Sequence, residues 1–147
     1  MVPPEPGITR TVLVVDDNRR LLAFIGDALT ELGGYTVVTA EDGIKGLELY
    51  FALRPDCMVI DVKMPGLDGF QLVRALRGDP ASASTPLIIL TAMAQGRDRL
   101  AGLLAGVDQY LLKPVDPMEL VTAIQQAITL GDDERRRRLR QLADEGA

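Results

Sequence analysis

Short apolar runs alternate along the chain with longer segments in which apolar residues recur every three or four positions. The short runs are rich in β-branched residues and are bounded by turn-forming residues, as β-strands are. The longer segments have the spacing of amphipathic helices. The five predicted strands are Thr11–Val15, Thr36–Thr39, Cys57–Asp61, Leu87–Leu90 and Gln109–Leu112.

Each predicted strand is followed by a predicted helix. Gly33 and Gly34 end the first helix as left-handed cap residues do, and Asp42 begins the second. The apolar positions are Leu21, Leu22, Ile25, Ala28, Leu29 and Leu32 in the first helix, Ile44, Leu47 and Phe51 in the second, Phe70, Val73 and Leu76 in the third, Leu100, Leu103, Leu104 and Val107 in the fourth, and Leu120, Val121, Ile124 and Ile128 in the fifth. Strict alternation of this kind predicts an α/β fold, doubly wound, with a mostly parallel sheet and helices on both faces.

Polar residues stand at the carboxyl ends of four predicted strands. Asp16 and Asp17 follow the first strand, Asp61 ends the third, Thr91 follows the fourth and Lys113 follows the fifth. In a doubly wound sheet, sites form at the carboxyl ends of the strands, near the switch in strand order. We therefore expect the five side chains to share one pocket.

The chemistry of that pocket follows from its charges. Two unit charges about 4 Å apart repel by roughly 4 kcal/mol at an effective dielectric constant near 20. Mg²⁺ relieves such repulsion, since it accepts a few carboxylates while keeping water and phosphate oxygens as further ligands. Lys113 and Thr91 offer an ammonium and a hydroxyl to phosphoryl oxygens, and the Asp61 carboxylate is a nucleophile that can form an acyl phosphate.

Each of these residues also has an ordinary structural interpretation. A lone Asp16 or Asp17 is more often a helix cap than a metal ligand. Thr91 alone would be a strand-end residue, and Lys113 alone would be a solvated amine on a packed stem. Asp61 is harder to explain in this way, because it closes an apolar run. The ordinary interpretation must also explain five polar groups at the same end of four strands.

Composition narrows the classes of function. The length of 147 residues suits one domain with a short tail at each end, and the net charge of −5 argues against nucleic-acid binding by this domain. Cys57 is the single cysteine and is expected to be buried and inert. The chain has no histidine, so any phosphohistidine donor lies on another molecule. No apolar run reaches the ~20 residues of a membrane span and no signal peptide is evident, so we expect a cytoplasmic location.

The predicted domain occupies residues 9–130. Residues 1–8 are expected to form a flexible tail. Residues 131–147 are rich in charge, and their acids precede arginines at i,i+4, the favourable order for helical ion pairs. This segment is predicted to be a charged helical extension or a linker.

Four motifs in order resemble the receiver domain of response regulators in two-component signalling. They are Val14-Val15-Asp16-Asp17-Asn18, then Ile60-Asp61-Val62-Lys63-Met64-Pro65-Gly66-Leu67-Asp68-Gly69, then Leu90-Thr91-Ala92, and finally Tyr110-Leu111-Leu112-Lys113-Pro114. The resemblance covers roughly residues 9–130. It implies a flavodoxin-like (βα)5 fold with five parallel strands in the order 2-1-3-4-5.

The resemblance also implies roles for individual residues. Asp61 would accept a phosphoryl group, and Asp16, Asp17, Asp61 and the backbone carbonyl of Lys63 would hold Mg²⁺. Lys113 would pair with the phosphoryl group, and its bond to Pro114 would be cis. The domain would catalyse only its own phosphorylation and dephosphorylation.

A switch is implied as well. Thr91 would move toward the phosphoryl group and let Tyr110 turn inward, which would re-pack the face formed by the fourth helix, the fifth strand and the fifth helix. The partner would be a histidine kinase or a phosphotransfer protein. A homodimer through the same face is one expectation, although Gln109 stands where the winged-helix branch usually has an acid, so the salt-bridged dimer of that branch is not expected.

Two positions beside the pocket differ among family members and bear on phosphoryl lifetime. Here they are Lys63 and Met93. Because the Met93 side chain is apolar and cannot orient an attacking water by hydrogen bonding, we expect a persistent aspartyl phosphate.

Other classes of protein fit less well. A haloacid-dehalogenase-like phosphatase requires a second Asp two residues after its nucleophile, where this chain has Lys63. A nucleotide- or flavin-binding domain requires a loop rich in glycine or hydroxyl groups after the first strand, where this chain has acids. A phosphorylation-independent protein-interaction module remains the alternative.

Overall fold

The computed structural model describes residues 9–92 and 106–145. The strands are β1 (Thr11–Val15), β2 (Thr36–Ala40), β3 (Cys57–Ile60), β4 (Leu87–Thr91) and β5 (Gln109–Leu112). The helices within these residues are α1 (Arg19–Gly33), α2 (Gly43–Leu53), α3 (Gly69–Gly78) and α4 (Pro117–Glu145). The predicted fifth helix is thus α4, whereas the predicted fourth helix falls largely on residues 93–105, outside the described residues.

The strands form one parallel sheet in the order β2-β1-β3-β4-β5. This confirms the predicted doubly wound α/β fold and its strand order. β1, β3 and β4 lie inside the sheet, and almost all of their residues are buried. Burial on both faces explains why their sequences are nearly continuous apolar runs.

The core has one layer on each face of the sheet. On one face, α1 and α4 pack against β1, β3 and β4; Leu22, Ile25 and Leu29 come from α1, and Leu120, Val121, Ile124 and Ile128 from α4. On the other face, Leu72, Val73 and Leu76 of α3 and Tyr50 of α2 pack against Leu13, Val15, Met58, Ile60, Leu87 and Ile89. The predicted buried stripe of the last helix is therefore confirmed.

Local sequence sets the helix ends. The side chains of Asn18, Asp42 and Asp68 each accept a backbone N–H in the first turn of α1, α2 and α3. Such caps satisfy N–H groups that have no partner within the helix. Gly34 ends α1 with φ of 70°, a left-handed conformation that glycine adopts at little cost. These ends place the loops that carry the polar residues described below.

Of the three apolar positions noted in α2, only Leu47 packs against the core, and it is partly buried. Ile44 and Phe51 are 55% and 37% exposed, whereas Gly43, Gly46 and Tyr50 are buried. A Cβ atom on Gly46 would lie 2.9 Å from a methyl group of Val15. The helix therefore approaches the sheet closely along its glycines, and Ile44 and Phe51 lie on its exposed side.

α4 is one continuous helix across the predicted domain boundary after residue 130. That boundary, like the predicted tail of residues 1–8, stays a prediction from the sequence. Among the described residues, no helix combines the length and the apolar character needed to span a bilayer.

Candidate functional site

Two buried aspartates lie side by side at the carboxyl edge of the sheet. Asp16 follows β1 and Asp61 follows β3, and the register of these neighbouring strands pairs Val15 with Ile60. The backbone N–H of Asp61 donates to the carbonyl oxygen of Val15 at 2.9 Å. Parallel pairing thus fixes the two carboxyl groups next to each other, 45 positions apart in the sequence.

Asp17 completes a cluster of three acids. One carboxylate oxygen from each of Asp16, Asp17 and Asp61 lies within 4.8 Å of the others. Asp16 and Asp61 are 3% and 6% exposed, while Asp17 is open to solvent. A few carboxylate oxygens with room for further oxygen ligands are the set that Mg²⁺ prefers, so these residues fit a magnesium ion.

Lys113 brings one positive charge to the two buried acids. Its Nζ atom lies 2.8 Å from Oδ2 of Asp16 and 3.5 Å from Oδ2 of Asp61. The backbone N–H of Lys113 donates to the carbonyl oxygen of Thr91 at 2.8 Å, which ties the end of β5 to the end of β4. The Lys113–Pro114 peptide bond is cis, as the resemblance implied.

The remaining oxygens of the two buried acids accept backbone hydrogen bonds. Oδ1 of Asp16 accepts the N–H of Asn18 at 2.9 Å, and Oδ1 of Asp61 accepts the N–H of Val62 at 2.9 Å. Each of the two carboxylates is therefore held by one backbone donor while its other oxygen faces Lys113. This geometry keeps both Oδ2 atoms directed into the same space.

Burial and repulsion act together on Asp61. Burial raises the pKa of this carboxyl group, and the neighbouring Asp16 raises it further, whereas Lys113 and the N–H of Val62 lower it. The net direction is upward, because one ammonium does not offset the loss of water together with a second carboxylate. A divalent cation would favour the ionised form that a nucleophile requires.

A groove of about 520 Å³ opens beside the cluster. Its lining residues are Asp17, Val62, Lys63, Met64, Pro65, Asp68 and Phe70. Lys63 and Asp17 are both exposed, and Asp17 belongs to the acidic cluster. The groove therefore gives access to the acidic pocket from solvent. The role predicted for the Lys63 carbonyl stays a prediction.

The two predicted switch residues lie on neighbouring strands. β4 and β5 pair Ile89 with Tyr110 and Thr91 with Leu112. Thr91 is almost fully buried at the edge that carries the acids, whereas Tyr110 is half-buried and packs against the core layer of α2 and α3. Met93, which was predicted to influence phosphoryl lifetime, lies outside the described residues.

The sequence did not reveal one close contact behind the acids. A Cβ atom on Gly69, the first residue of α3, would clash with the carbonyl oxygen of Asp61 and come within 2.8 Å of the Cα atom of Val62. The helix thus begins directly against the backbone that carries the phospho-acceptor candidate. The glycine after Asp68 marked a helix start in the sequence, but only the folded chain shows which backbone it faces.

Taken together, the parallel sheet and its acidic pocket define a doubly wound α/β protein with a candidate magnesium site at the switch in strand order. Residues 12–125 match the model of the family described as response regulator receiver domain. The chain belongs to this family.

The chain is similar to several transcriptional regulators and receiver structures. It is 42% identical to the transcriptional regulatory protein PrrA of Mycobacterium tuberculosis over 122 residues, which are 82% of this chain and 51% of that protein. It is 36% identical to the DNA-binding dual master transcriptional regulator RpaA of Synechocystis sp. over 121 residues, 82% of this chain and 50% of that protein. The crystallised chemotaxis protein CheY4 of Vibrio cholerae superposes with a TM-score of 0.77 at 31% identity, over 82% of this chain and 99% of CheY4.

The chain spans about half the length of the two regulators it matches and nearly the whole length of CheY4. The similarity therefore concerns the receiver domain, and the DNA-binding activity in the name of RpaA is a property of that protein.

Proposed function

We propose that this receiver domain accepts a phosphoryl group on Asp61 in a Mg²⁺-dependent reaction and changes shape in response. The observation that carries the proposal is the position of Lys113, whose Nζ atom lies 2.8 Å from Asp16 and 3.5 Å from Asp61. One cation between two buried carboxylates, with a third acid on the solvent side, is an arrangement suited to an anionic group arriving from the groove.

In this proposal each residue has one task. The Oδ2 atom of Asp61 attacks phosphorus, and the bond between phosphorus and the donor's leaving group breaks. The phosphoryl group thereby moves to the carboxylate. Asp16, Asp17 and Asp61, with the backbone carbonyl of Lys63, would hold Mg²⁺, and the bound ion would supply positive charge to offset that of the phosphoryl oxygens. Lys113 pairs with a phosphoryl oxygen, and the Thr91 hydroxyl donates to another.

The change of shape is proposed to start at Thr91. This side chain is 1% exposed at the pocket edge, and Tyr110 stands on the adjoining strand two register positions away. Movement of Thr91 toward a phosphoryl oxygen would alter the packing around Tyr110. It would thereby change the face formed by the predicted fourth helix, β5 and α4. A partner, or a second copy of the domain, would recognise that surface.

The phosphodonor is proposed to be a histidine kinase or a phosphotransfer protein in the cytoplasm. These 147 residues contain no histidine, so a phosphohistidine donor would lie outside them. The exposed groove beside Asp17 and Lys63 offers that molecule access to the pocket.

The test is incubation of the chain with Mg²⁺ and acetyl phosphate, followed by intact-mass measurement. We expect one added phosphoryl group on the wild-type chain and none on Asp61→Asn. Asp27→Asn is the matched control, because Asp27 is an exposed carboxylate on α1, away from the pocket. It should be modified as the wild type is, and chelation of Mg²⁺ should prevent modification in both.

The alternative, a phosphorylation-independent interaction module, predicts a different result. In that case the wild-type chain stays unmodified at saturating Mg²⁺ and donor. Equal modification of wild type and Asp61→Asn would contradict Asp61 as the acceptor while leaving phosphorylation itself in place.

A further inference from the structure

A second cluster of charged side chains lies at the amino edge of the sheet, opposite the acidic pocket. Arg10 precedes β1, Asp56 precedes β3, and Asp132 belongs to the later part of α4. Arg10 Nη1 lies 3.4 Å from Oδ1 of Asp56, and Arg10 Nη2 lies 3.1 Å from Oδ2 of Asp132. The three side chains are between 25% and 34% exposed, so solvent only partly screens the cluster.

The sheet holds two members of this cluster in place. The N–H of Thr36 donates to the carbonyl oxygen of Arg10 at 3.0 Å. Asp56 accepts the N–H of Thr11 on Oδ2 at 2.8 Å, and its own N–H donates to the carbonyl oxygen of Thr11 at 2.8 Å. The guanidinium of Arg10 is therefore positioned by the sheet, and Asp132 is the member that comes from a separate element.

The helix residue next to Asp132 indicates a close approach at the same place. A Cβ atom on Gly131 would lie 3.3 Å from Cγ of Pro86, which precedes β4. Glycine weakens a helix interior, so a glycine in the middle of α4 requires an explanation. The explanation is that α4 lies against Pro86 where it crosses the amino edge.

The next two turns of α4 continue along the body of the domain. A groove of about 400 Å³ separates them from the α3–β4 region. Asp133, Glu134 and Arg137 line it on the helix side, and Arg77, Ser84 and Asp108 are among the residues on the other side. Residues 131–137 are thus adjacent to the domain, not projecting from it.

From these contacts we propose that residues 131–137 form a docked segment of the receiver domain, clamped to the amino edge of the sheet by Arg10 and Asp132. The clamp fixes the direction in which the remainder of the charged extension leaves the domain. α4 begins four residues after Lys113 and is continuous to Glu145, so one helix joins the edge that carries the acidic pocket to the clamped segment. The proposal depends only on the fold and does not require phosphorylation of Asp61.

Backbone amide hydrogen exchange on the full chain tests the clamp. The variants are Arg10→Gln, Asp132→Asn and the double variant, with Asp144→Asn as a control that removes a carboxylate from an exposed position of the same helix. We expect each single variant to raise exchange at residues 134–141 by about three- to ten-fold, while exchange at residues 120–128 changes little. The double variant should exchange no faster than the faster single variant, and the control should match the wild type.

The double-variant cycle separates the clamp from contacts that Asp132 makes within its own helix. Fully additive increases, or unchanged exchange in Arg10→Gln, would overturn the proposal. So would residues 134–141 exchanging in the wild type at the rate of an unfolded peptide.

Gly131→Leu provides a second test of the docked segment, because it forces the helix away from Pro86 without altering Arg10. It should raise exchange at residues 134–141 as well, and no increase would refute the close packing.

Discussion

Lys113 Nζ lies 2.8 Å from Oδ2 of Asp16, although the two residues are 97 positions apart in the sequence. Asp16 follows the central strand β1 and Lys113 follows the edge strand β5, so the contact reaches across the carboxyl edge of the sheet. The neighbouring Asp61 lies 3.5 Å from the same nitrogen. Among the described residues, the Lys113 ammonium therefore supplies positive charge to both buried carboxylates.

Replacement of Lys113 by Met tests how much that charge supports the fold. Removing one partner of a buried ion pair leaves the other charges uncompensated, so the free energy of unfolding in metal-free buffer should fall by about 1–3 kcal/mol. Because the acids then repel without an internal cation, added Mg²⁺ should stabilise Lys113→Met more than it stabilises the wild type. Urea unfolding with and without Mg²⁺ measures both effects.

The exposed Lys45 is a suitable control for this experiment. Lys45→Met should change neither the stability in metal-free buffer nor the stabilisation by Mg²⁺ appreciably. A Lys113→Met variant with a smaller response to Mg²⁺ than the wild type would contradict the proposed repulsion.

Two glycines of α3 should respond in opposite ways to alanine. Gly69→Ala places a methyl group against the backbone of Asp61 and Val62, and overpacking of this kind costs about 1–3 kcal/mol. Gly78, at the other end of the helix, has no atom within 4 Å of the added Cβ, so alanine there should stabilise by up to about 1 kcal/mol. Thermal unfolding should give a lower Tm for Gly69→Ala and an equal or higher Tm for Gly78→Ala.

Gly69→Ala should also slow modification by acetyl phosphate, because the carbonyl that it displaces belongs to Asp61. Equal rates in the two glycine variants, with Gly69→Ala destabilised, would show that the contact supports the fold without positioning the carboxylate.

Much of the fold was predictable because its signals are local. Strand and helix periodicity, the capping residue Asp42, and Gly34 are properties of neighbouring residues, and the structure follows them. The order of the strands is not a local property, and it came from the family resemblance. The buried face of α2 was not predictable either, because Gly46 and Tyr50 are buried by the tertiary approach of the helix to the sheet.

The candidate site shows the same division. Asp61 was identifiable because a carboxylate closes an apolar strand, and parallel strands bring their carboxyl ends to one edge. The distances from Lys113 to the acids depend on the loop after β5, which no periodicity describes. The hydroxyl pair of Tyr50 and Thr85, 2.6 Å apart in the core, gave no signal in the sequence, because its members are 35 positions apart.

The stability of the domain should depend on Tyr35 at alkaline pH. Burial raises the pKa of the Tyr35 phenol to about 12, with the nearby Cys57 adding to the shift and Arg10 opposing it. The folded state thus favours the neutral phenol. Its contribution to stability is complete below the unfolded pKa near 10 and is lost as the pH rises from about 10 to about 12.

Tyr35→Phe cannot ionise and should escape that loss. Between pH 9 and pH 11 the free energy of unfolding of the wild type should fall by about 1 kcal/mol more than that of Tyr35→Phe. Denaturant titrations at the two pH values measure the difference. Identical pH dependence in the two proteins would mean that Tyr35 ionises as readily in the folded chain as in the unfolded one.

Phosphoryl lifetime is predicted from the position two residues after Thr91. Met93 cannot hold a water molecule by hydrogen bonding, whereas a carboxylate at the same position could orient one toward phosphorus. Met93→Glu should therefore shorten the life of the aspartyl phosphate by about ten-fold or more, measured as phosphate release after removal of the donor. Met118→Glu makes the same substitution at an exposed position of α4 and should leave the lifetime unchanged. If both variants release phosphate at the wild-type rate, the side chain at position 93 does not control hydrolysis.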